Sequence, residues 1–237
     1  MTHEGAPLAA PRDPGSGANG AAASSPPGGY KVVLPPGWEQ IPLKEGTRET
    51  IRKIVDRVFA HPPEGVPRDK LTPLRIDLER RLSDVASQAR RNGGIHLYLP
   101  VTLRHSTPIA ASFVVSEGSL GSLEDIDPAM VVSYLASEDG GEEDGKRTAT
   151  VDGAVSLRLE NTAPANPAKG ADYGSRRVDY VVPVPGEQDR WMVIAFSTLG
   201  GGDPDDRYAL ILVDLFDAIM STFRWTQADD SAGRRRE

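Results

Sequence analysis

The chain has 237 residues, with 27 Lys and Arg against 34 Asp and Glu and a formal net charge of −7. It contains no cysteine, which excludes disulfides, thiolate metal sites and a cysteine nucleophile. The acidic balance argues against general nucleic-acid binding, because that function needs a basic face to neutralise phosphates.

Composition separates both ends of the chain from its middle. Residues 1–29 are rich in Ala, Gly, Pro and Ser and carry no aromatic side chain, so they bury too little apolar surface to offset the entropy of ordering. Residues 227–237 are polar and include three consecutive arginines. We predict a disordered tail at each end and a single domain over residues 30–226.

Apolar runs in this sequence are too short for a targeting or membrane segment. The beginning of the sequence lacks the basic stretch and apolar run of a secretory signal. No apolar run approaches the roughly 20 residues of a membrane helix. We therefore predict a cytoplasmic protein with no membrane partner.

The first half of the predicted domain contains two short strands and two helices. Tyr30–Leu34 and Trp38–Ile41 are predicted strands, separated by a Pro-Pro-Gly turn. Apolar residues at helical spacing predict a helix that begins with Thr47 as its N-cap. A second helix is predicted over about 69–91, with Pro73 in its first turn, where proline is tolerated.

The second half is dominated by strands. Ile95–Leu99 alternates apolar and polar residues and is predicted to pair with Ile109–Val115 in a hairpin. A short helix is predicted after Asp127, followed by an acidic loop that includes residues 138–144. Three further strands are predicted at 151–159, 177–184 and 190–197. The last of these is apolar on both faces, which places it in the middle of the sheet.

The final helix is predicted to begin with Asp203 as its cap and Pro204 at its first position. Asp214 and Asp217 lie off the predicted buried stripe. The stripe consists of Tyr208, Ile211, Leu212, Leu215, Ile219 and Phe223. The order of elements predicts an α+β fold, with a twisted, mostly antiparallel sheet of about five or six strands packed by helices.

Few residues suit catalysis or metal binding. Ser197 follows an apolar strand, as a nucleophile does, but lacks the glycines of a Gly-x-Ser-x-Gly elbow. His96, His105 and Glu117 could supply metal ligands across the first long hairpin, although no His-Glu-x-x-His motif is present. Asp203–Asp206 could hold a hard cation, but its spacing is not that of a calcium loop. We predict no catalytic residue, metal or cofactor.

Aromatic side chains are the candidates for a contact surface. Trp38, Tyr98 and Trp225 are predicted to contribute to an exposed aromatic patch, and the alternative for Trp38 and Trp225 is that they pack in the core or at its rim. Asp179 lies within a strand and is expected either to face solvent or to form an ion pair with a neighbouring arginine, Arg176 or Arg177.

Both ends of the domain resemble PsbP-like domains, a group that includes LpqN-type lipoproteins. The opening Val32–Trp38, with its Leu-Pro-Pro-Gly-Trp sequence, is similar to their first hairpin. Trp191–Ser197 and the helix that leads into Ile219–Trp225 resemble their last strand and long helix. The domain also resembles actinobacterial proteins, some of them from type VII secretion gene neighbourhoods. The resemblance implies an α/β/α sandwich with a non-catalytic binding role.

These patterns lead to competing hypotheses. The first is an adaptor or chaperone-like protein that binds a protein partner, as an accessory factor for secretion. The second is a small hydrolase or metal-dependent enzyme built on Ser197, His96, His105 or Asp203–Asp206, which requires these groups to converge in one cleft. The third is a structural oligomerisation module. We favour the first and predict that the chain is not an enzyme.

Overall fold

The computed structural model describes residues 26–60, 68–101, 109–119, 130–133, 145–165, 167, 172–187 and 189–227. The strands in these ranges are β1 (Gly29–Lys31), β2 (Trp38–Pro42), β3 (Gly94–Pro100), β4 (Ala111–Ser119), β5 (Lys146–Val151), β6 (Ala154–Ala163), β7 (Ser175–Pro183), β8 (Arg190–Thr198) and β9 (Arg224–Thr226). The longer helices are α1 (Thr47–Ala60), α2 (Arg68–Arg91) and α3 (Arg207–Ser221). Residues 130–133 form a further short helical segment.

Seven strands form one antiparallel sheet in the order β2-β3-β4-β8-β7-β6-β5, and β1 pairs with β9 in a separate two-stranded sheet. The strand predicted at 190–197 is β8, which lies in the middle of the large sheet as expected. Helices pack on both faces of that sheet. The predicted α+β class, with a mostly antiparallel sheet and an α/β/α arrangement, is confirmed.

The sheet has more strands than predicted because one predicted strand is a hairpin. The segment predicted as a single strand at 151–159 belongs to β5 and β6, which pair around a two-residue turn. Asp152 and Gly153 adopt positive φ angles of 47° and 81°, as a two-residue turn with left-handed residues requires. The Asp-Gly pair is a hairpin signal that could have located this turn from the sequence. The short strand β9 was also missed.

One face of the large sheet, called the α3 face, packs against α3. Its core includes Phe113, Ile194 and Phe196 from the sheet and Phe216 from the helix. Phe196 and Phe216 stack with ring centroids 4.7 Å apart. This face also contacts the two-stranded sheet through Tyr30 of β1.

The buried stripe of α3 differs from the prediction. Ile211 is 51% exposed, whereas Asp217 faces the sheet and accepts hydrogen bonds there. The buried residues are Ala209, Leu212, Val213, Phe216, Ile219 and Met220. The helix also begins later than predicted, because Asp206 and not Asp203 is the N-cap. Its carboxylate accepts a hydrogen bond from the backbone N–H of Ala209.

The opposite face, called the α2 face, is covered by two separate groups of residues. At one side α1 packs on β2 and α2 packs on β3. At the other side Val132 of the short helical segment packs on Leu157 and Trp191. Pro73 is the sixth residue of α2 and therefore lies in its second turn, contrary to the prediction. Thr47 is already helical, and its hydroxyl donates to the carbonyl of Pro42 at 2.6 Å.

The pairing of β1 with β9 includes the last residues of the predicted N-terminal tail. Gly29 lies opposite Thr226, and the N–H of Gly28 donates to the carbonyl of Thr226 at 2.8 Å. Several predictions lie outside the described residues: those for residues 1–25, 104–108, 138–144 and 228–237, and for His61 and His105. Within the described residues, no helix combines the length and the apolar character that a membrane crossing requires.

Candidate functional site

The candidate site is the middle of the α2 face, between its two covered sides. Six side chains form it, and we call them the central strip: Ser112, Val114, Arg177, Asp179, Ala195 and Ser197. They lie in two cross-strand rows over β4, β8 and β7. One row is Ser112, Ser197 and Arg177, and the other is Val114, Ala195 and Asp179.

Exposure differs sharply between the two faces of these three strands. Every residue of the central strip is half-buried or exposed. The residues that alternate with them point to the α3 face and are buried, among them Phe113, Val178 and Phe196. Because successive side chains of a strand point to opposite faces, α3 seals one face while the other stays partly open to solvent at its centre.

The side chains that β8 presents on the α2 face become smaller along the strand, and we call the surface formed by the central strip the floor. On the α2 face this strand presents Trp191, Val193, Ala195 and Ser197 in turn. Trp191 is buried under the short helical segment. The small side chains at the other end of the strand leave the backbone close to solvent. A contiguous partly open floor of this kind is where a ligand or partner can reach a sheet.

The flank of α2 that points away from α1 lies toward β4. The helix α1 packs on β2 and α2 packs on β3, and β4 is the next strand of the sheet. Arg75 of α2 pairs with Asp56 of α1 and marks the opposite flank. Since a helix turns by about 100° per residue, Leu74 and Val85 lie on the flank away from α1, and both are exposed. We call this pair the apolar flank of α2, whereas Leu78 packs against the core shared with α1.

Asp179 is the charged group at the centre of this surface. It lies opposite Ala195 of β8 and Leu159 of β6, neither of which offers a side-chain hydrogen-bond donor. Burial raises the pKa of its carboxyl group, and the nearby charge of Arg177 opposes that shift only in part. No described residue is found in a hydrogen bond or ion pair with this carboxylate, so Asp179 is a partly buried acid with an open side.

Of the two pairings expected for Asp179, the one with Arg176 is wrong. Arg176 points to the α3 face, where it donates to Glu160 at 2.7 Å and to Asp205 at 2.8 Å. Arg177 is on the same face as Asp179 and contributes only a nearby charge. Strand alternation separates these two neighbouring arginines completely.

Ser197 and His96 lie on opposite faces of the sheet and do not converge. Ser197 belongs to the central strip, whereas His96 faces the two-stranded sheet, where its Nδ1 and the Tyr30 hydroxyl share a hydrogen bond of 2.7 Å. Burial lowers the pKa of His96, the charge of Lys44 lowers it further, and Glu117 opposes them. Among the described residues, no group of three or more acids and histidines is placed to hold a metal ion.

The aspartates at 203–206 have structural partners. Asp203 accepts from the backbone N–H of Asp205, and Asp205 is paired with Arg176. Asp206 caps α3 and also accepts from the backbone N–H of Gly201 at 2.7 Å. These contacts explain the run of aspartates as a cap and a turn, and they do not join Ser197 or His96 in one cleft.

The predicted contact surface is wrong for two of its three aromatic residues. Trp38 is 7% exposed and Tyr98 is 2% exposed, so both are core residues of the α3 face. Trp225 is half-buried and packs edge-on against Phe223. Ser197, Arg177 and Asp179 were considered separately, but the surface that they form with β4 was not predicted, because it depends on β4 lying beside β8. The sequence signal that could have found the floor is the fall in side-chain size from Trp191 to Ser197.

Of the three comparisons with known proteins, only the one with solved structures finds a similar chain. No protein-family model matches the chain, and no curated protein matches it. A search of solved structures finds a crystal structure of LpqN, a protein involved in cell envelope biogenesis of Mycobacterium tuberculosis. This chain is similar to it with 13% sequence identity and a TM-score of 0.40, over 86% of this chain and 87% of that chain.

This comparison contradicts the predicted location. The solved structure that it finds is that of a protein involved in cell envelope biogenesis, so the prediction of a cytoplasmic protein is withdrawn. A likeness at this TM-score carries no argument about activity or partners, and the function is therefore argued from the central strip.

Proposed function

We propose that the chain is a non-catalytic protein-binding module, of the adaptor or chaperone-like kind, and that a short segment of a partner protein binds over the central strip. The observation that carries this proposal is the difference between the two sheet faces. One face is sealed by α3, and the other is half-exposed at β4, β8 and β7.

The dimensions of the surface favour a short segment. Three neighbouring strands span about 10 Å, and the two rows lie about 7 Å apart along the strands. That area accommodates one or two side chains of a partner, beside the apolar flank of α2. Small floor residues such as Ala195 and Ser197 let a partner approach the sheet closely, and the apolar flank supplies surface to bury.

A protein without cysteines offers a direct test, because a single introduced cysteine is a unique attachment point. We would label Ser197→Cys with a maleimide photocrosslinker and, as a matched control, Ile211→Cys on the exposed side of α3. Both variants would be irradiated in extract from the source cells. We expect adducts specific to the label at position 197, because only that label lies on the proposed binding surface.

Competition distinguishes specific adducts from random ones. Excess unlabelled wild-type protein should suppress the adducts of the position-197 label, whereas unlabelled Ala195→Trp, in which an indole fills the floor, should not. The thermal midpoint of Ala195→Trp must first be shown to match that of the wild type. Identical adducts from positions 197 and 211, or no adducts from position 197, would refute the proposed surface.

A further inference from the structure

We propose that the central strip recognises a basic side chain, lysine or arginine, of its partner segment, and that the carboxylate of Asp179 is the acceptor. This inference rests on the proposed function and names the chemistry of the partner. It is carried by the position of Asp179, whose carboxylate forms no hydrogen bond or ion pair with any described residue.

No described neighbour of Asp179 neutralises its carboxylate through a direct contact. Its cross-strand neighbours Ala195 and Leu159 are apolar. Arg176 of the same strand donates its hydrogen bonds to Glu160 and Asp205 on the other face of the sheet. Among the described residues, Arg177 is the cation whose charge acts on Asp179, and it is exposed to solvent and forms no hydrogen bond with it. Lys146 lies in the same cross-strand row, two strands away beyond Leu159.

Partial burial makes this carboxylate a better acceptor than a surface one. Burial raises the pKa of Asp179, which means that its charged form lacks sufficient compensation in the free protein. A cation that arrives in this partly desolvated position gains more than the same cation at an open surface. An acidic side chain at the same position is repelled by Asp179, and Arg177 in the adjacent row weakens this repulsion without placing a donor on the carboxylate.

The apolar neighbours of Asp179 in its own cross-strand row suit the rest of a basic side chain. Lysine and arginine carry long hydrocarbon stems that pack along apolar surface while the charged end reaches a polar group. Ala195 and Leu159 lie on either side of Asp179, and Val114 extends the row beyond Ala195. The hydroxyl group of Ser197 lies in the adjacent row of the neighbouring strand and can accept a further hydrogen bond from a guanidinium group.

Three synthetic pentapeptides test this inference without knowledge of the natural partner. The probes are Ac-Ala-Val-Arg-Val-Ala-NH2 and the same peptide with citrulline or glutamate at its centre. Citrulline keeps the shape of arginine but has no charge. Binding to the full chain would be followed by amide chemical shifts of Val114, Asp179 and Ala195. We expect the arginine peptide to bind about fivefold more tightly than the citrulline peptide, and the glutamate peptide more weakly still.

Two variants assign the preference to Asp179. Asp179→Asn should reduce the preference for arginine over citrulline to less than about twofold, and sodium chloride at high concentration should reduce it in the wild type. Asp214→Asn, which removes an exposed carboxylate from the outer side of α3, should leave the preference unchanged.

The possible results distinguish a failure of charge recognition by Asp179 from a failure of the proposed binding surface. If all three peptides shift the amides of the central strip equally and Asp179→Asn changes nothing, the surface binds peptides and the inference is overturned. If no peptide shifts those amides at millimolar concentration, the proposed binding surface itself fails. An equal loss of preference in Asp214→Asn would show that net charge, and not Asp179, selects the ligand.

Discussion

Arg158 is the most deeply buried charged residue of the described chain, and its surroundings show how the fold tolerates it. Its side chain is 3% exposed. Its Nε donates to Asp217 of α3 at 3.0 Å, and a second nitrogen donates to Glu160 at 2.8 Å. Burial opposes the charge of Arg158, but hydrogen bonds to the two acids outweigh burial and raise its pKa. The hydroxyl of Tyr180 also donates to Asp217.

We predict that Asp217→Ala destabilises the protein by about 3 kcal/mol, because two nitrogens of the buried Arg158 lose their partner and Glu160 alone remains to balance its charge. The free energy of unfolding in urea measures this cost. Asp214→Ala, at an exposed position of the same helix, should change it by less than about 0.5 kcal/mol. Similar losses in the two variants would mean that helix propensity, and not the buried pair, sets the cost.

Removing the charge of Asp179 should stabilise the protein, whereas removing the carboxylate of Asp217 should destabilise it. The folded protein raises the pKa of this carboxyl group through burial, so folding becomes less favourable as pH rises above the ordinary value of about 3.9. Asp179→Asn is therefore expected to stabilise the protein at pH 7 by of the order of 1 kcal/mol or less. The gain should vanish near pH 3, where both states of the wild type are protonated. Urea unfolding at the two pH values checks this, and a stability loss at pH 7 would contradict it.

At the scale of elements, Tyr30 fastens the two-stranded sheet to the large one. Its hydroxyl is 2.7 Å from Nδ1 of His96 and 2.9 Å from the hydroxyl of Tyr98, both on β3. Its ring stacks on Phe223, with centroids 5.4 Å apart. Burial raises the pKa of Tyr98 to about 12, so this hydroxyl stays protonated across the neutral range.

Tyr30→Phe keeps the stacked ring and removes the hydroxyl. We predict a loss of about 1–2 kcal/mol, because His96 and Tyr98 each lose a partner in a partly buried place. Amide hydrogen exchange of β1 and β9 should accelerate more than that of β8. Uniform acceleration across the large sheet would show that the hydroxyl supports the whole fold and not this attachment.

His96 should make the same attachment sensitive to acid. Burial lowers its folded-state pKa, so its contribution to stability is complete above the ordinary value of about 6.5 and is lost as pH falls through the folded value. Lys44 adds to the shift, while Glu117 opposes it. We expect faster exchange of β1 and β9 amides at pH 5 than at pH 7 after correction for intrinsic rates. His96→Gln should remove most of this difference, and an unchanged difference would exclude His96 as its source.

At the scale of the molecule, two cores share one sheet. Ile54 of α1 lies in the core of the α2 face and is 1% exposed, whereas Trp38 packs in the core of the α3 face. We predict that Ile54→Ala destabilises the protein by about 2–4 kcal/mol through the cavity it leaves. Because both cores contact the same strands, tryptophan fluorescence and far-ultraviolet circular dichroism should shift together to lower urea. Separate midpoints would show that the two faces unfold independently.

Local patterns predicted much of this fold and little of the candidate site. The spacing of apolar residues and the turn residues were sufficient to predict α1, α2, the β3–β4 and β7–β8 hairpins and the central position of β8, because each of these depends on neighbours along the chain. Asp217 was predicted to lie off the buried stripe, because no local pattern shows that Arg158 of the distant strand β6 lies opposite it in the fold. The central strip depends on the crossover that brings β4 beside β8, and that pairing cannot be inferred from either strand alone.

The pairing of β1 with β9 has a mechanical consequence. The chain enters β1 and leaves β9 at the same end of this small sheet, where Gly29 lies opposite Thr226. Tension applied to the flanking residues would therefore peel the two strands apart one hydrogen bond at a time, and would not load all of them together. The β1–β9 pairing is therefore the mechanically weakest part of the fold. It would separate before any force reaches the seven-stranded sheet.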